Sequence, residues 1–326
     1  MDRQRRNVIK LGAGLCMTSV VGKAAWAESY PSRPVTLVVP FAPGGNTDIV
    51  GRTVATALAK VLGQSVVVDN RGGAGGSIGA SQVARAAPDG YTLLLCGAGV
   101  IVTVPQMVKT SYSSDSFTPL GLVNKSSMVL LVKGDDERLK TLKEFADYAR
   151  AEPGRLNAAH SGPGTPNHLA LIQTENLLNA KFTVISYKGA NPALVSLLGG
   201  QIDAMFDQVP SALPHIKSGA LKALAVLGPD RDPVIPDVPT AAELGFGTID
   251  GTTYVGILGP SGMSKALQGQ LANVIAQAVK DPQAVKSATE LGSVAYSSTP
   301  EEFTDVLNAE YAVATKAAKE GQLKVD

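Results

Sequence analysis

The chain has 326 residues, 44% of them apolar and 17% charged, with 29 basic against 28 acidic side chains and a formal charge of +1. That balance, without any Lys/Arg run interleaved with aromatics, argues against a nucleic-acid surface and against a polybasic membrane patch. Length and apolar content suffice for two packed domains that need no disulfide staples.

Residues 1–27 read as an export signal, in which Arg3, Arg5, Arg6 and Lys10 precede a short apolar run ending in Ala25-Trp26-Ala27. Arg5-Arg6-Asn7-Val8-Ile9-Lys10 fits a twin-arginine pattern, and a general secretory signal also begins with basic residues. The run is too short and too rich in small residues for a stable membrane span, and Leu15 stands before Cys16 where a lipoprotein signal has a small residue. Cleavage exposes Glu28, removes five basic side chains and one acidic one, and takes the formal charge to −3. Cys96 is then the one remaining cysteine, in an apolar run where a buried small hydrophobe is the expected role. The expected product is a soluble protein outside the cytoplasm.

From residue 34 the segment PVTLVVPFAPGGNTD carries an apolar strand into a glycine turn and a helix start. Val35, Leu37, Val38 and Val39 read as a strand buried on both faces; Gly44 and Gly45 permit the turn, and Asn46 or Thr47 can cap the helix. Backbone N–H groups at such a turn form an anion site, while an ordinary strand-to-helix turn is the alternative. Ile49, Val50, Val54, Leu58 and Val61 share one helical stripe, followed by a strand at Val66–Asp69, a loop at Asn70–Ser77, a helix at Ile78–Ala86 and a strand at Tyr91–Cys96. The alternation predicts a parallel sheet with crossover helices. A second such unit begins near Met128, with strands at Val129–Val132, Asn157–Ala159, Thr183–Ser186, Ala204–Phe206 and Ala223–Leu227 and helices between them. After the proline-rich stretch Pro229–Pro239 come a strand at Tyr254–Leu258 and helices at Lys265–Lys280, Gln283–Leu291 and Pro300–Glu320, which lack strands of their own and are best placed back on the first unit.

The expected fold is therefore α/β, with two doubly wound domains joined by two crossover segments around a ligand cleft. Residues 28–127 and 251–326 form lobe 1 and residues 128–250 lobe 2. The glycine-bearing loops at 41–48, 70–77, 161–168, 187–191 and 207–211 are the candidate walls, and they contribute Ser77 and Asp207 among others. Phe41 and Tyr187 can shape the pocket, or can serve as core packing. Lys188 and Arg71 are the nearest cations, with solvated or ion-paired loop charges as the alternative. Asp48 is expected to stabilise its own helix start, since it would repel an anion. Asp207 can accept from a ligand hydroxyl or ammonium, or form a turn.

PFAPGGNTDIVGR at 40–52, VVVDNRGGAGGSIGA at 66–80, PDGYTLL at 88–94, SGPGTPNHLA at 161–170, YKGANPALVSLLGGQID at 187–203 and VPTAAELG at 238–245 occur in order along the mature chain. Jointly they resemble the Bug-type extracytoplasmic solute receptors of tripartite tricarboxylate transporters. The resemblance implies a two-lobed, type II periplasmic binding protein that closes like a flytrap on a small carboxylate ligand, needs no cofactor, and delivers the ligand as a monomer to membrane permease subunits. In that family backbone groups and ordered waters hold the carboxylate in the first-lobe loop, matching Phe41, Gly44, Gly45, Asn46, Thr47 and Asp48. The second-lobe loop matches Ser161, Gly164, Thr165 and His168, while Ser186 and Leu171-Ile172-Gln173 depart from the family pattern beside it.

Two other classes compete. A receptor that feeds a signalling partner would bind its ligand identically. A secreted serine hydrolase would use Gly75-Gly76-Ser77-Ile78-Gly79 as a nucleophile elbow with His160, His168 or His215 as base, but Ser77 stands too far from the preceding strand for that turn. No dinucleotide or Walker-type glycine motif occurs, and the three histidines have no metal-ligand spacing with carboxylates.

Overall fold

The computed structural model describes residues 30–319, so the signal region and the final residues lie outside the described part. In chain order the first elements are β1 (Val35–Val39), α1 (Asn46–Leu62), β2 (Val66–Asn70), α2 (Ser77–Ala84) and β3 (Thr92–Cys96). Two short helices, α3 (Ala98–Val102) and α4 (Val104–Met107), precede the long β4 (Phe117–Ser126). Then come β5 (Met128–Lys133), α5 (Leu142–Ala151), β6 (Asn157–His160), α6 (Pro166–Leu178), β7 (Thr183–Ser186), α7 (Ala190–Leu198), β8 (Ala204–Gln208), α8 (Val209–Lys217) and β9 (Leu221–Leu227). The chain closes with β10 (Thr253–Pro260), α9 (Lys265–Val279), α10 (Pro282–Glu290), β11 (Val294–Ala295) and α11 (Pro300–Lys319).

The strands build two sheets, ordered β11-β4-β10-β3-β1-β2 and β7-β6-β8-β5-β9. Each has a parallel half, with β1 between β2 and β3 and β6 between β7 and β8. The expectation of parallel sheets needs correction in the other half: β10 runs antiparallel to β3 and β4, and β5 antiparallel to β8 and β9. A strand covered on both faces is apolar throughout whichever way it runs, so its direction is not written in its composition. Apolar clusters lie on both faces of each sheet, which is why VTLVV and MVLLV carry almost no polar residue.

Periodicity places helices around His168–Leu178, Ala193–Leu198, Ala212–Ser218 and Gln283–Leu291; all four start earlier in the structure, and each has a proline near its start. Pro166 and Pro282 open α6 and α10, Pro210 is second in α8 and Pro192 third in α7. Proline there loses nothing, because a first-turn N–H has no intrahelical acceptor. α1 ends at Gly63 with φ +65°, whose N–H caps the Ala59 carbonyl, and Val50, Val54 and Leu58 bury its inner stripe while Val61 is left 37% exposed.

Two strand-to-strand passages link the sheets, at Ser127 and between β9 and β10, and they lie side by side. Ser126 and Thr253 are paired across β4 and β10, with their hydroxyls 3.0 Å apart. Gly251 fits here for want of a side chain: a Cβ would stand 2.1 Å from the Leu227 carbonyl oxygen.

α11 packs on the first sheet through Phe303, which is 1% exposed and lies against Gly256 so closely that a Cβ there would stand 2.5 Å from the ring. Phe303→Ala is expected to destabilise the protein by about 3–5 kcal/mol through lost burial and the residual cavity. A urea midpoint unchanged from wild type would contradict this packing.

Candidate functional site

A cleft of about 490 Å³, counted to its open mouth, lies between the sheets. Its size is ordinary for a small-molecule site, roughly 300–1,000 Å³. Its walls are helix starts: Gly45, Asn46 and Thr47 at α1 on the first sheet, and Thr165, Pro166 and Asn167 at α6, Ala190 at α7 and Gln208 at α8 on the second. Phe41, Gly97, Val100, Ser161 and the β10 residues Thr253, Tyr254 and Val255 complete it, so none of its lining residues is a Lys, Arg, His, Asp or Glu. Uncapped helix starts point N–H groups and the positive ends of helix dipoles at whatever enters.

The helix starts are not equivalent. At α6 the Thr165 hydroxyl accepts from the His168 N–H, and at α8 the Val209 N–H is taken by the Ser127 carbonyl. α1 and α7 have no side-chain cap, and they meet across the cleft, where a Cβ on Gly45 would stand 3.4 Å from that of Ala190. An anion at the cleft edge of this contact meets N–H groups and positive dipole ends from both sheets.

The α1 loop is held from behind by Asp48. Its carboxylate, 3% exposed, accepts from the Gly44 N–H at 2.9 Å and from Asn70 Nδ2 at 3.0 Å, and pairs with Arg52. Burial pushes this carboxyl up, but the bonds from Arg52, Gly44 and Asn70 outweigh it and hold it below its ordinary value. Asp48→Ala is expected to lower ligand affinity about tenfold by freeing the loop, although the side chain does not line the cleft. Titration calorimetry that finds unchanged affinity would detach this network from the site.

The second glycine loop is braced by two histidines. His160 is 2% exposed, its Nδ1 lies 2.9 Å from the Gly162 carbonyl oxygen, and its ring stacks on His168 at 4.1 Å. Burial first, and the neighbouring His168 second, press its pKa down to about 3, so the ring is neutral at ordinary pH. The Gly164 N–H donates to His168 Nδ1 at 3.3 Å.

Behind α6 and α8 runs a chain of polar groups. Ser211 donates to Asp207 at 2.6 Å, Asn167 Nδ2 donates to Asp207 and to the Phe206 carbonyl, and Gln208 Nε2 donates to Asn167 Oδ1 at 3.2 Å. It fixes the two amides that face the cleft. Complete burial of Asp207 raises its pKa to about 6, against the bonds it receives.

Of the residues singled out by sequence, Phe41, Gly45, Asn46, Thr47, Ser161 and Thr165 line the cleft together. Gly44, Ser77, Gly164, His168, Tyr187, Lys188 and Asp207 do not. Gly44, at φ +84°, makes the turn expected of both glycines, whereas Gly45 has φ −82°, open to any residue. Ser77 is buried at the start of α2. Gly164 packs on Val104, and Tyr187 packs on the apolar face of the second sheet. The Lys188 side chain is exposed, and Arg71 pairs with Asp69 at 2.9 Å. Asp207 lies in a strand, where alternate side chains face opposite ways, so Gln208 meets the cleft and Asp207 turns from it. Sequence reading missed Asn167 and Gln208, for which the available signal is a polar residue within two positions of a first-turn proline; Gly97, Val100 and the β10 residues carried no signal of their own. Cys96 is buried, and burial raises its thiol pKa far above the ordinary range.

Two mixed sheets around a cleft of helix starts make a two-lobed periplasmic-binding-protein fold. The chain belongs to the tripartite tricarboxylate transporter receptors: the TctC model, described as "Tripartite tricarboxylate transporter family receptor", matches residues 50–318. It is similar to the periplasmic binding protein BugD, at TM-score 0.86 and 35% identity over 90% of this chain and 99% of that one. It is similar to MatC from Rhodopseudomonas palustris with bound malate, at TM-score 0.84 and 33% identity over 89% and 100% of the two chains. An R. palustris protein with adipate matches at TM-score 0.85 and 30% identity over 89% and 97%. Among the described residues no helix is long and apolar enough to cross a membrane.

Proposed function

We propose that this chain is a periplasmic receptor that captures a small carboxylate between two lobes and passes it, unchanged, to the membrane permease of a tripartite tricarboxylate transporter. Lobe 1 comprises residues 28–127 and 251–326 and lobe 2 residues 128–250, and closure bends the two adjacent passages between the sheets. The observation that carries the reading is the cleft itself, where helix starts from both sheets converge and no charged side chain lines the wall. An already ionised carboxylate gains N–H donors from both sides there, so it draws the lobes together. Phe41, Gly45, Asn46, Thr47, Ser161 and Thr165 are its contacts, with Asn167, Gln208 and Ala190 added.

The malate and adipate of the two R. palustris relatives support the ligand class. No cofactor, second copy of the chain or nucleic acid is required by this mechanism. Equilibrium dialysis of residues 28–326 against mono-, di- and tricarboxylates tests it, with the recovered ligand checked by mass spectrometry. Saturable binding of one of them, recovered intact, is expected; turnover, or binding of neutral compounds alone, would overturn the reading.

A further inference from the structure

Glu310, on α11, does not line the ligand cleft, yet it stands where the units of the two sheets meet. A Cβ on Gly99 of α3 would stand 3.0 Å from Glu310 Oε1 and 2.9 Å from the Gly164 carbonyl oxygen of the second glycine loop. Pro166 Cδ, at the start of α6, is 3.5 Å from the same point. From this seam a crevice of about 1110 Å³, counted to its mouth, opens between α11 (Val306, Glu310, Val313) and α6 (Pro166, Leu169, Gln173).

Among the described residues the Glu310 carboxyl has no hydrogen-bond or ion-pair partner. No Lys, Arg or His lines the crevice; its other titratable groups are Asp250 and Tyr254. Cys96, at the end of β3, is a neutral thiol. His168 of α6 accepts the Gly164 N–H at Nδ1, as a neutral ring does. Lys125 of β4, on which α11 packs, opens on a different crevice with Ser127 and Arg231. The residues one turn from Glu310 on α11, namely Val306, Leu307, Val313 and Ala314, are apolar.

An ionised Glu310 is therefore uncompensated in the seam and faces the partial negative charge of the Gly164 carbonyl. Burial alone pushes its pKa up from the ordinary 4.5 to about 7. When the lobes part, Gly164 and Pro166 leave with the second sheet, water reaches the carboxyl, and its hold on a proton weakens.

Resting on the receptor reading and its closure, we propose that the lobes close on their carboxylate together with one proton, which Glu310 takes up in the seam, so that acid tightens ligand binding and alkali loosens it. The closed form binds this proton more tightly than the open one, so affinity is highest below pH 4.5 and falls as pH rises through about 7.

Calorimetric titration of residues 28–326 with malate and with adipate at pH 6.5, in MES and in imidazole, counts the protons bound per ligand, because the two buffers differ in ionisation enthalpy. Wild type is expected to take up about half to one proton, and Glu310→Gln, neutral at every pH, close to none. Between pH 6 and 8 the wild-type dissociation constant is expected to rise roughly tenfold, and that of the variant to stay within about twofold. Glu310→Gln keeps the shape of the side chain and is expected to melt no lower than wild type at pH 8; Glu310→Ala repeats the titrations without the amide. Binding by wild type with no proton uptake, or uptake that survives in both variants, overturns the role of Glu310 while the receptor reading stands. Failure of malate, adipate and the wider carboxylate panel to bind overturns the receptor reading and this inference together.

Discussion

Gly75→Val is expected to weaken ligand binding about 100-fold, while the ligand-free protein melts within a few degrees of wild type. Gly75 has φ +66°, and a Cβ there would stand 2.3 Å from the Pro163 carbonyl oxygen on the facing loop. The neighbouring contacts interlock in the same way. A Cβ on Gly162 would lie 3.1 Å from the Gly75 Cα, one on Gly164 3.0 Å from the Val104 Cα, and one on Gly189 3.1 Å from the Ala42 nitrogen. Backbone therefore meets backbone where the two glycine loops touch, and a branched side chain holds them apart. Overpacking of this kind costs about 1–3 kcal/mol, and roughly 2.7 kcal/mol corresponds to 100-fold in affinity. Gly63→Ala separates the clash from backbone strain, because Gly63 also has positive φ, +65°, but nothing within 4 Å of its Cβ position. Binding by that control is expected to be unchanged; a similar loss in both variants would place the effect in strain and not in closure.

The second large effect is acid instability centred on His160. An unfolded histidine takes its proton near pH 6.5, and His160 in the fold only near pH 3, because the ring is buried beside His168. Protonation therefore favours the unfolded chain throughout that window. Stability is full above about pH 6.5 and falls as pH drops towards 3, by about 5 kcal/mol at the limit. Asp207 opposes this: its folded pKa of about 6 lies above the ordinary 3.8, so its contribution is full below pH 4 and is lost as pH rises towards 6, by about 3 kcal/mol. Glu310, whose folded pKa burial raises to about 7, opposes it as well, so the acid loss due to His160 is read from the difference between wild type and a variant that lacks the ring. His160→Asn keeps a polar atom near Gly162 without the titration. It is expected to be less stable than wild type at pH 7, through lost stacking, yet to lose less between pH 6.5 and 4. Urea titrations at several pH values test this, and parallel stability curves for the two proteins would contradict it.

The apolar runs of β1, β3 and β5 were legible because each strand is buried on both faces. β4 was not, since Pro119, Gly121, Asn124 and Lys125 break its pattern and its pairing with β10 shifts register twice. Those irregularities are compensated by β10, which lies 127 or more residues away in sequence. Strand direction was hidden for the same reason that strand existence was plain. The order of the glycine loops pointed to loops that border the cleft, yet which side chain of a loop lines it depended on geometry that spacing cannot supply. Gly44 and not Gly45 makes the turn, Gln208 and not Asp207 faces the cleft, and His168 braces the loop from behind.

The most direct test of the central claim, anion capture by uncharged helix starts, is thermal melting of residues 28–326 with di- and tricarboxylates and, in parallel, their methyl esters. A ligand that binds only the folded protein raises its melting temperature, by an amount that grows with the logarithm of one plus the ratio of free ligand concentration to Kd. The account predicts a rise of several degrees with a free acid and none with its ester, which keeps the shape and loses the charge. An ester that stabilises as well as its acid would contradict it.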